Sequence, residues 1–114
     1  MAVKIFSAAI VGFGGRIIEI EVEATHGLRS FDIVGLPDKS VQESKDRTCA
    51  AIKSSGFSPA FAQAKKVLVN LAPADLKKEG SFYDLPIALG YLLKTEQIKF
   101  DPRGKIFIGE LSLN

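Results

Sequence analysis

Within residues 16–24, Arg-Ile-Ile-Glu-Ile-Glu-Val-Glu-Ala, apolar and charged side chains alternate without a break from Ile18 to Ala24. Period two is the signature of a strand with one covered face, so Ile18, Ile20, Val22 and Ala24 are expected inward and Glu19, Glu21 and Glu23 outward, on a solvated face that would repel a nucleic-acid backbone. Residues 3–11 alternate more loosely and read as a first strand, with Gly12, Gly14 and Gly15 supplying the positive φ angles of a hairpin turn. A second turn at 25–29 and a third strand at 30–34 complete an expected meander of three antiparallel strands. The pattern then changes period: Val41, Thr48, Cys49 and Ile52 line one face of a helix, while Lys39, Glu43 and Arg47 follow one another at i, i+4 on its outer face. Asp38 or Ser40 is its expected cap, with Ser40-x-x-Glu43 as a capping box, and Gly56 ends it. Residues 57–63 form a connection with two aromatic anchors, Phe57 and Phe61.

The stretch 67–93 is the most informative. A short β-branched run at 65–71 makes a fourth strand, a polar connection rich in Pro, Lys, Glu and Gly follows at 72–81, and the Leu- and Ala-rich run after it is long enough for a buried helix. Asp84 is the expected N-cap and Pro86 falls in the first turn, although Ser81-x-x-Asp84 also fits a start one turn earlier. Gly90 inside this helix points to a close backbone approach. Asp101-Pro102-Arg103-Gly104 is a turn signal, residues 105–108 read as a strand interrupted by Gly109-Glu110, and 111–113 resume the alternation. The order β-β-β-α-β-α-β predicts an α+β domain, a mostly antiparallel sheet with helices on one face and at least one parallel pairing by crossover. Because the sequence stops at Asn114 in an extended stretch, the chain is expected to be a fragment of a longer protein.

Composition narrows the chemistry. With 114 residues, 46% of them hydrophobic and 25% charged, the chain is one ordinary domain, and a formal net charge of +2 is far from the dense positive field of a dedicated nucleic-acid binder. One Cys and one His leave no set of about four ligands for a structural zinc, and no intrachain disulfide. Cys49 reads as a small buried hydrophobe and His26, beside Gly27, as a turn residue. No apolar run approaches ~18 residues and no signal peptide is present, so a cytoplasmic location without membrane insertion is expected. Residues 35–40, Gly-Leu-Pro-Asp-Lys-Ser, end like a phosphate loop, but Ile33 and Asp38 stand where G-x-x-x-x-G-K-[ST] requires glycine. The chain itself is expected to bind no cofactor.

Three stretches carry a resemblance: FDIVGLPDKSVQESKDR, NLAPADLKKEGSFYDLPIAL and GELSL. Together they resemble the N-terminal domain of the magnesium-chelatase-like AAA+ proteins of the ComM (YifB) family, in order and over essentially the whole chain. More distantly, KKEG, a helix and GELSL are similar to the PKDG…GEITL layout of the Lon proteolytic domain. The resemblance implies a ribosomal-protein-S5-domain-2-like fold with a left-handed crossover, running against the general rule. It also implies a downstream AAA+ module that uses Mg-ATP, a hexameric full-length protein, and a role as an ATP-dependent DNA helicase in branch migration during recombination of incoming DNA. Lon-type enzymes place a nucleophilic serine two residues after the glycine that Gly80 matches. Phe82 occupies that position and has no nucleophilic atom, while Ser81 is one residue early, a rotation of ~100° at a helix start. The partner lysine would lie beyond Asn114. A non-catalytic accessory domain is therefore the leading reading, with an active Ser-Lys peptidase and an RNA-binding S5-like module as its rivals.

Within this reading, the charged loop at 75–80 is the expected contact surface. It is anchored at both ends and too polar to be core. Lys77 and Lys78, with Gly80 and Ser81, lie near a helix N-terminus, where cations and helix dipole together favour an anionic partner such as DNA phosphate or an acidic patch on the ATPase module.

Overall fold

The computed structural model describes residues 2–112. Strands β1 (Val3–Val11) and β2 (Gly14–His26) form a long hairpin whose register pairs Val11 with Gly14. That leaves a two-residue turn in which Gly12 has φ +61° and Phe13 does not cross to positive φ, the requirement of a type II′ turn. Only one of the three glycines assigned to this turn serves it, since Gly14 and Gly15 already belong to β2.

The expected meander is not formed. Strand β3 (Ser30–Val34) pairs in parallel with β4 (Lys65–Ala72), and β4 pairs antiparallel with β2, so the four strands lie in the order β1-β2-β4-β3. The reason is burial on one side only: β4 alternates with Val67, Val69 and Leu71 fully buried, and the centre of the sheet is where such a strand removes most apolar surface from water. The parallel crossover expected from the element order is present, and the result is a mixed, mostly antiparallel α+β architecture.

The helices cover the face formed by Ile5, Ile18, Ile20, Val22, Ile33, Val67, Val69 and Leu71. The predicted helix after β3 is broken at Glu43 into a short turn α1 (Lys39–Gln42) and α2 (Ser44–Ser54). Asp38 is the cap, its Oδ1 accepting from Val41 N–H at 2.8 Å. Val41, Thr48 and Ile52 are buried as expected and Cys49 is half-buried, its thiol pushed up by burial. Phe57 and Phe61 are exposed rather than anchors; the neighbouring Ala60 is buried instead. Helix α3 (Asp84–Lys94) lies against β1 and β2, and Gly90 makes the close approach expected of it: a Cβ there would come within 2.5 Å of Val22 Cγ2. No described helix is long and apolar enough to cross a membrane.

The predicted last strand is not a strand within the described residues; Leu113 and Asn114 lie outside them. Residues 105–112 have no regular secondary structure, and Phe107 N–H donates to Phe6 C=O of β1 at 2.8 Å. The three glutamates of β2 are each engaged: Glu19 with Lys4 at 3.1 Å, Glu21 with Asn70 at 3.2 Å and Glu23 with Lys94 at the end of α3 at 3.0 Å.

Candidate functional site

The loop between β4 and α3 is held by the turn before α1. Lys78 N–H donates to Leu36 C=O and Asp38 N–H donates to Lys78 C=O, both at 2.9 Å, making a parallel bridge between the two loops. Asp38 uses its second oxygen to accept from Gly80 N–H at 3.3 Å, so one carboxylate caps α1 and pins the charged loop. Leu36, held at φ +56°, is left 53% exposed beside this bridge.

These contacts separate the two lysines. Lys77 is exposed, its Nζ 4.0 Å from Glu79 Oε1. Lys78 is fully buried, its Nζ donates to Pro73 C=O, and burial pulls its pKa below the usual lysine value. The expectation that both present cations to a partner is corrected for Lys78: its backbone is the centre of the loop bridge, which draws the side chain inward. Gly80 and Ser81 are half-buried at the foot of the loop. Phe82, in the nucleophile position of the resemblance, is 58% exposed. It forms one wall of an open groove of about 640 Å³, together with Leu76, Ile10 and Ile108.

Asp84 is not the helix cap. It is the first residue of α3, with Tyr83 in the cap position and no side-chain cap bond. Its carboxylate is fully buried and turns to α2, accepting from Arg47 Nε at 2.6 Å, Arg47 Nη2 at 3.1 Å and Ser44 Oγ, and from Leu111 N–H at 3.1 Å. The bond to Asp84 raises the Arg47 pKa further. A buried carboxylate needs a paired cation more than a helix end needs a cap, because exposed helix donors can turn to water. Arg47 was assigned to the outer face by its i, i+4 spacing. The signal against that assignment is Ser44, which continues the face of Val41 and Thr48 at i+3 and i+7 and carries Arg47 one turn further along the same seam.

The phosphate-loop resemblance of residues 35–40 has no counterpart in the geometry. The N-terminus of α1, where a phosphate would sit, is filled by the Asp38 carboxylate, and α1 itself is four residues long. These residues do not fit a nucleotide.

Comparison with known proteins agrees with the motifs. The family described as subunit ChlI of Mg-chelatase matches residues 20–114, and the chain belongs to that family. Within it the chain corresponds to the N-terminal region of the ComM/YifB proteins. It is 40% identical over 110 residues to competence protein ComM of Haemophilus influenzae, and 41% and 42% identical over 110 residues to the YifB proteins of Escherichia coli and Salmonella typhimurium. In each case the alignment covers 96% of this chain, which spans about a fifth (21%) of the relative's length.

Proposed function

We propose that the chain is a non-catalytic accessory unit, of S5-domain-2-like and Lon-like fold, at the N-terminus of a Mg-chelatase-related AAA+ ATPase of the ComM type. The observation that carries this reading is the 40% identity to the H. influenzae protein across 96% of the chain. In the whole protein, Mg-ATP would be bound by a downstream module, and the hexamer would act in the cytoplasm on DNA as a helicase promoting branch migration in recombination. The accessory role is supported by what the site offers. Phe82, at the nucleophile position, supplies no nucleophilic atom, which weighs against the peptidase alternative.

Lys77 remains the exposed cation of this loop that could meet an acidic patch on the ATPase module or DNA phosphate. The test uses the full-length protein: ATP hydrolysis with and without branched DNA, and strand migration, for the wild type and Lys77→Glu. Reduced DNA stimulation at low salt in the variant supports the contact role. An unchanged response removes Lys77 from it, and a full-length protein without DNA-stimulated ATP hydrolysis overturns the helicase reading. For the isolated chain, titration with Mg-ATP should give no saturable heat.

A further inference from the structure

The segment after α3 leaves the edge of the sheet half-way. It runs in the direction of β1: Phe107 lies beside Phe6, Ile108 faces the groove with Ile10, and Gly109 reaches Phe82 at the start of α3. Strand β1 is the outer strand, and in an antiparallel pair both backbone groups of a residue point to the same side, alternating along the chain. Ala8 and Ile10 therefore present their N–H and C=O groups on the side that Phe6 uses for Phe107. The next bonds of an added parallel strand would join Gly109 to Ala8 and Ile10. Instead Gly109 N–H donates to Phe82 C=O at 2.9 Å, its carbonyl accepts from Leu85 N–H at 3.0 Å, and Leu111 N–H is taken by Asp84 at 3.1 Å. The groove opens where the ladder stops.

We infer that the buried Asp84–Arg47 pair is a latch that holds residues 109–112 off the open edge of β1, and that releasing it lets this segment close on Ala8 and Ile10 as a fifth strand. Two arrangements compete for the same backbone groups of Gly109 and Leu111. The latched one has the charge-assisted bond to a fixed carboxylate, and bonds to ionised acceptors are roughly twice as strong as neutral ones. The closed one has the β-prone apolar run Ile106-Phe107-Ile108 and an edge without a charged residue between Ala8 and Val11 to guard it. Neutralising Asp84 takes away the charge-assisted bond to Leu111 and shifts the balance towards the closed arrangement.

One variant is Gly109→Ala, which displaces the segment while leaving Asp84, Arg47 and Ser44 untouched. A Cβ at position 109 would lie 3.2 Å from Leu85 Cβ and 3.3 Å from Leu85 Cδ2, pushing the segment away from α3. Asp84→Asn, which keeps the shape and removes the charge, is the second and tests the latch itself. Amide hydrogen exchange is followed by NMR on the chain. Release should lower protection at Leu111 and raise it at Ala8 and Ile10, each by about tenfold, while Val22 and Val69 in the sheet centre keep theirs. A gain at Ala8 and Ile10 in Asp84→Asn supports the latch; its absence there overturns it, whether Leu111 merely frays or stays protected.

Discussion

The two ends of α3 are both tied down by polar networks, and they are built in opposite ways. At the N-terminal end, Arg47, Ser44 and Leu111 all converge on one carboxylate, Asp84. At the C-terminal end the network is neutral and shared. Tyr91 Oη donates to Ser58 C=O at 3.0 Å and accepts from Gln63 Nε2 at 3.3 Å, while Gln97 bonds Ser58 through its carbonyl (2.7 Å) and its amide (2.9 Å) and reaches Thr95 Oγ1 at 2.9 Å. Each network brings together stretches distant in sequence. The ionic one depends on a single group, so losing its counter-ion strands a charge, whereas the neutral one has partners that still satisfy one another when one is removed.

The largest expected effect follows from that asymmetry. Arg47→Ala leaves Asp84 buried without its cation and should lower stability by about 3–5 kcal/mol, read from the urea midpoint. The combined change Arg47→Met, Asp84→Leu, Ser44→Ala should recover most of this loss, since apolar replacement of a buried pair is often neutral or better. A triple variant as unstable as the single one would show that the cost lies in packing. Next in size is Gly90→Ala, midway between the networks, where the clash with Val22 should cost about 1–3 kcal/mol, measured the same way. Tyr91→Phe should cost only about 0.5–1.5 kcal/mol, because Gln97 keeps Ser58 satisfied.

Tyr91 also predicts a pH response. Burial pushes its pKa up to about 12 from 10.0, so the folded state favours the neutral phenol. Its contribution is fully present below pH ~10 and is lost as the pH rises towards ~12, where unfolding and phenolate absorbance should appear together. Tyr91→Phe should remove that step from an alkaline titration of stability. The smallest effect belongs to Lys77→Glu, which should change stability by less than about 0.5 kcal/mol because the side chain is exposed.

Four strands and the helices α2 and α3 were legible because each is written in local periodicity, and the parallel crossover followed from their order, whereas the strand expected at 105–108 is not formed. The strand order was not legible. Nothing within residues 14–34 reveals that β4, some thirty positions later, outcompetes β3 for the side of β2, because a fully buried alternation differs from an edge one only in what eventually covers it. The candidate site divided in the same way. Lys77 was read correctly as exposed, but Lys78, identical in type and adjacent, was not, since a backbone bridge to Leu36 and Asp38 decides its fate. Asp84 was recognised as important and given the wrong partner. Sequence spacing offered it a helix end, whereas the fold offered it an arginine on another helix.

The strand order has a consequence for the chain as it is made. The hairpin β1–β2 is complete by His26, but its second neighbour, β4, ends at Ala72. At the usual 5–20 residues per second, the ribosome needs about 2–9 s to supply the intervening stretch. During that interval Ile18, Ile20 and Val22 have neither their neighbouring strand nor α3 to cover them. A nascent chain stalled near residue 60 should therefore be a better client for a hydrophobic-binding chaperone than one stalled past residue 94.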